Sequence, residues 1–173
     1  MIEVNIHLYW GPKPEELETL VLKAIEHLAE MKGLGPPFET WVRPGKSRKI
    51  ALAGPVINPT DPEEVRMLFL KGRNWTDFPP RTVIPELGYH FGLWNRAFGD
   101  VDATFSIRCG VNSEFLSQDA QNLLNLRAVA REGLPSDDAA INQVFLRFAD
   151  VWKPQSGRAW IKWADAEHTV AAM

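Results

Sequence analysis

The chain of 173 residues carries 19 Lys and Arg against 22 Asp and Glu, a formal charge of −3, with 45% hydrophobic and 24% charged side chains. That balance excludes a disordered chain, which lacks the apolar surface to collapse, and it argues against a protein built to coat a phosphate backbone, which needs a basic excess. A single cysteine, Cys109, excludes an intrachain disulfide and a cysteine-based zinc site.

A chain of this length fits one domain, residues 1–173, and buries roughly 70% of its unfolded surface in a core that needs no staples. Glu3 stands where a signal peptide carries positive charge, and no apolar run approaches the roughly 18 residues of a membrane span. The expectation is a cytoplasmic protein with no membrane and no nucleic-acid partner. The one basic cluster, "RPGKSRK" at 43–49, reads as a solvated loop.

In "IEVNIHLYW", Ile2, Val4, Ile6, Leu8 and Trp10 alternate with Glu3, Asn5, His7 and Tyr9, which predicts a strand with one buried face. "GPKP" breaks it. Then Leu17, Leu20, Val21, Ala24, Ile25, Leu28 and Met31 fall at helical spacing, with acids in the first turn and Gly33 placed as a C-terminal cap. Residues 34–60, rich in Pro and Gly, read as irregular with short strand pieces. In "DPEEVRMLFLKG", Asp61 is the N-cap, Pro62 opens the helix and Gly72 follows its end. "RNWTDFPPRTV" reads as a loop.

"LGYHFGLWN" and "DATFSIRCG" are aromatic and β-branched runs joined by "RAFGD", which predicts an antiparallel hairpin at the centre of the sheet. "DAQNLLNLRAVAREG" reads as a helix ended by Gly133 and Pro135, with "NSEFLS" before it open to a strand. "SDDAAINQVFLRFADVWKP" predicts a second helix, with Ile141, Val144, Phe145, Phe148 and Trp152 on one face, and "RAWIKWA" a last strand. Strands and helices interleave without βαβ repetition, so the expected class is α+β, a mainly antiparallel or mixed sheet with helices packed against it.

Cys109 and His90 are the residues a thiol-dependent hydrolase would use, because a thiol needs a neighbouring base to act near neutral pH. Cys109 alternates in phase with Phe105 and Ile107, however, which puts it on an apolar face as a small hydrophobe. The four histidines, His7, His27, His90 and His168, are scattered and form no ligand motif, and the glycines fit neither a dinucleotide fingerprint nor a phosphate loop. No metal and no cofactor are expected. The paired acid and acid-x-Lys of a metal-dependent nuclease are missing, since Lys162 has no acid two residues before it.

The remaining candidates are acidic clusters at three helix starts: Glu15 and Glu16, Asp61 with Glu63 and Glu64, and Asp137 with Asp138. Helix-dipole complementation suffices for each alone; together they would form a negative surface that meets a basic partner. Trp41 lies in the irregular 34–60 segment and Trp75, with Asp77, in the loop after the 61–72 helix, and in such loop-like segments an exposed indole is a candidate interface anchor.

The segments "IHLYWGPKPEELE", "ETWVRPGKSRKIAL", "GRNWTDFPPRTVIPELGYHFGLWN" and "ATFSIRCG", in that order, resemble the immunity protein 52 family of bacterial polymorphic toxin systems. The likeness covers most of residues 4–116 and loosens towards Trp152 and the last strand. Trp41, Arg48, Gly72, Arg73, Leu87, Gly88, Gly92, Trp94, Asn95 and Cys109 match the family's pattern, whereas Trp75 and Thr76 stand where it has basic residues. The resemblance implies a small cytoplasmic protein that binds and neutralises a cognate toxin. That toxin usually carries a restriction-endonuclease-like nuclease domain and is in some cases delivered by a contact-dependent or type VI secretion route. The family has no catalytic residues. Such a nuclease presents a basic cleft, so a negative face on the inhibitor supplies steering and register.

Overall fold

Alternation builds most of this fold. The computed structural model describes residues 1–97, 99–112, 121–131, 134, 137–163 and 166–173. Its strands are β1 (Ile2–Trp10), β2 (Trp41–Val42), β3 (Val56–Ile57), β4 (Tyr89–Trp94), β5 (Asp102–Cys109), β6 (Asn122–Ala130), β7 (Ser156–Trp163) and β8 (Ala166–Ala172). They form one sheet in the order β3-β2-β4-β5-β6-β1-β7-β8 with every pairing antiparallel. The helices are α1 (Leu17–Lys32), α2 (Arg48–Ala53), α3 (Pro62–Lys71) and α4 (Asp138–Trp152). The fold is α+β with helices packed on an antiparallel sheet, as the sequence leads one to expect.

The even-numbered residues of β1 show how one face was chosen. Val4, Ile6 and Leu8 are buried and stand beside Ala128, Leu126 and Leu124 on β6 and Ile161, Ala159 and Gly157 on β7. This apolar face receives the helices: His27 of α1 stacks on Phe105 at 4.9 Å, and Phe69 of α3 meets Phe91 edge-on at 5.0 Å. Each such aromatic, taken out of water, contributes about 2 kcal/mol. The other face carries polar and aromatic side chains in register; His7 and Trp160, for example, pack edge-to-face at 4.6 Å.

The central hairpin forms as predicted, with Phe91 opposite Ile107 and Leu93 opposite Phe105. Its corner is locked by Asn95, a buried side chain with its bonding capacity filled. Its amide donates to the carbonyls of Pro37 and Val101 and its oxygen accepts from the Ala97 and Ala103 N–H groups.

Three expectations need correction. The segment expected as a helix over 119–133 is a strand at Asn122–Ala130, lying between β5 and β1. Its buried residues Asn122, Leu124, Leu126, Ala128 and Ala130 have a period of two, which its helix-favouring Leu and Ala content disguised. "NSEFLS", apart from Asn112, and the expected stops at Gly133 and Pro135 lie outside the described residues. "RAWIKWA" is not the last strand: β8 follows, an edge strand whose mostly exposed residues gave no burial pattern. Within 34–60 the basic cluster runs into α2, where the Ser47 side chain accepts a bond from the Ile50 N–H at 3.4 Å.

Candidate partner-binding surface

Two helix starts that are far apart in sequence meet in the fold. Arg66, on the outer side of α3, donates to both Glu18 in the first turn of α1 and Glu63 in the first turn of α3. The link brings Glu16 and Glu18 to the same corner as Asp61, Glu63 and Glu64. Of these carboxylates, Glu18 and Glu63 bond the arginine itself. The guanidinium beside Glu18 holds its carboxyl below the usual carboxylate range. Two of the predicted acids are partly spent on local structure. Asp61 accepts from the Glu63 and Glu64 N–H groups at 2.9 and 3.4 Å, and Glu64 accepts from the Asn58 N–H at 2.7 Å.

Glu15 departs from its predicted role. Its side chain is only 4% exposed, and its Oε1 accepts from Lys23 at 2.5 Å with Lys13 at 3.6 Å. A carboxylate this enclosed is an internal ion-pair partner rather than part of an open negative rim. Asp137 and Asp138 lie elsewhere. α4 runs antiparallel to α1, as shown by Lys23 over the Trp152 ring, His27 against Phe148 and Glu30 paired with Arg147. Its start therefore sits beside the far end of α1, which at 16 residues is about 24 Å long. Asp137 caps α4 through the Ala140 N–H at 2.7 Å, and Asp138 pairs with His168 at 2.9 Å.

The loop carrying Trp75 and Asp77 is an ordered arm. The Thr76 N–H donates to the Thr82 carbonyl and the Ile84 N–H to the Asn74 carbonyl, both at 2.9 Å, and Trp75 bridges to Val83. These bonds fold residues 74–84 into a short hairpin that rises directly from the end of α3. Trp75 is 50% exposed and Phe78 at the tip is 81% exposed, with Asp77 exposed between them. Phe78 escaped the sequence reading, although an aromatic next to two prolines in a turn-rich loop was the available signal. Arg73, at the foot of the arm, was noted only as a motif match.

The thiol–imidazole pair does not assemble. Cys109 is fully buried on the helix-covered face, and burial pushes its thiol well above its ordinary pKa. His90 stands opposite Arg108, one residue out of phase, on the other face. Among the described residues no group of three or more His, Cys, Asp or Glu side chains is placed to hold a metal ion, and no helix is long and apolar enough to cross a membrane.

Most of the motif positions do structural work. Trp41 is not the exposed anchor expected of it: it is a buried core residue, its Nε1 donating to the Phe38 carbonyl at 2.8 Å, and Arg48 lies over the Trp94 ring at 5.8 Å. At Gly72 a Cβ would come within 2.2 Å of the His90 carbonyl oxygen, and at Gly88, with φ +60°, within 2.2 Å of that of Cys109. No family model and no curated protein sequence matches this chain.

Proposed function

We propose that this protein is an immunity protein that neutralises a cognate bacterial toxin, a nuclease of the restriction-endonuclease-like type, by stoichiometric binding in the cytoplasm. The observation that carries this reading is the combination of a carboxylate-rich corner, where Arg66 ties the first turns of α1 and α3, with an ordered arm after the other end of α3 that bears two exposed aromatics. Charge on the corner steers approach to a basic cleft, and Trp75 and Phe78 are of the residue types that supply most of the affinity in protein interfaces. Blocking a cleft requires no turnover by the inhibitor. The order of motifs across residues 4–116 supports the same role.

The test is co-expression with the toxin encoded by the adjacent gene. The expected result is rescue of growth together with co-elution of the two chains as a 1:1 complex. Rescue without a complex, or a complex in which the nuclease stays active, overturns the proposal.

A further inference from the structure

At the foot of the arm lies a cavity of about 380 Å³, walled by Glu15, Arg73, Pro85, Tyr89, Gly110 and Asn112 among others. Cross-bonds between its loops hold it open. The Lys13 N–H donates to the Val111 carbonyl at 2.7 Å and the Asn112 N–H to that of Glu86 at 3.1 Å. The Asn74 amide donates to the Leu87 and Gly88 carbonyls at 3.1 and 3.2 Å. A site tied in this way loses little entropy when it is filled.

The charges around this cavity do not cancel. Glu15 is compensated by Lys23 and approached by Lys13, whereas the Arg73 side chain has no ion pair or hydrogen bond among the described residues. Among the described residues, therefore, one guanidinium is left without a counter-charge in a preformed recess. Glu15 Oε2, in the same wall, is buried and has no hydrogen-bond partner among the described residues. A planar guanidinium offers two parallel N–H groups, the arrangement that a carboxylate fills.

From these observations we infer that the cavity receives an acidic side chain of the protein partner. Its carboxylate accepts two bonds from Arg73. The inference rests on the inhibitor reading above and adds to it a contact of reversed polarity. Such a contact fixes register, because a partner that presents a base at that point meets a like charge.

The experiment titrates a catalytically inactive toxin domain into wild-type protein, Arg73→Gln and Arg73→Glu by calorimetry. Each exposed Asp and Glu of the toxin is replaced by Ala in turn. Arg73→Glu is expected to weaken Kd about 100-fold, Arg73→Gln about 10-fold, with melting curves unchanged because Arg73 holds no other element. One toxin acid is expected to weaken wild-type binding when removed and to have no further effect in the Arg73→Gln background. Equal Kd for wild-type and both variants, or no toxin acid that couples to Arg73, overturns the cavity assignment and leaves the inhibitor reading standing. A wild-type protein that binds no toxin overturns the inhibitor reading itself.

Discussion

His27 sits where a leucine would be expected. It is fully buried between Phe148 at 4.2 Å and Phe105 at 4.9 Å, and neither ring nitrogen has a partner. Burial drops its pKa from 6.5 to about 3. The folded protein therefore holds the imidazole neutral, while the unfolded chain binds a proton below pH 6.5. Stability from this residue is complete above pH 6.5 and is lost as pH falls towards 3. At pH 4.5 the loss amounts to about 2 to 3 kcal/mol. Denaturant unfolding at pH 7 and pH 4.5 should show His27→Leu escaping that part of the acid destabilisation; an unchanged pH dependence would refute it. The sequence displayed His27 only as one of four scattered histidines. It could not show that three aromatics from β5 and α4 close over it. Cys109 was legible, since its in-phase neighbours Phe105 and Ile107 lie on the same strand. Glu15 was not, because its burial depends on Lys23 and on loops far along the chain.

At the level of elements, α3 was readable because its signals are local: an Asp cap, Pro62 in the first turn and Gly72 at the end. The reason for Gly72 differs from the expected one. Its φ of −92° is open to any residue, and glycine is required instead by the close approach of the His90 carbonyl. Asp61→Ala removes the cap and should lower stability by about 1 kcal/mol in thermal or denaturant unfolding. Because that carboxylate is turned to its own helix, toxin affinity should move less than the melting temperature. The arm gives the opposite pattern. Trp75→Ala with Phe78→Ala removes little buried surface, so melting should hold while toxin affinity falls by about 2 kcal/mol or more per anchor, measured by calorimetry. β6 was misread because a central strand of Leu, Ala and Asn carries helix-favouring residues at a strand's period. Ladder bonds to β5 and β1 on both sides decided its conformation.

Over the whole molecule, the three acidic clusters separate into two regions. Glu16, Glu63 and Glu64 lie at or beside the first turns of α1 and α3, which Arg66 ties together, whereas Asp137 and Asp138 lie at the other end of α1. Charge reversal at Glu16, Glu63 and Glu64 should slow toxin association and flatten its dependence on ionic strength; the same change at Asp137 and Asp138 should alter neither. Stopped-flow association between low and physiological salt checks this, and equal effects from both sets would remove the steering role of the corner.

The sequence by itself determined the α+β class, β1, α1, α3, α4, the central hairpin and the apolar setting of Cys109. Each of these is written in a periodicity or a cap that acts within a few residues. Only the tertiary structure decided that β6 is a strand, that Glu15 is enclosed, that Arg73 lines a recess at the foot of the arm and that two acidic helix starts meet at Arg66. Those outcomes depend on contacts between segments tens of residues apart, and burial, charge and ladder bonding at such contacts are fixed by which element arrives from elsewhere.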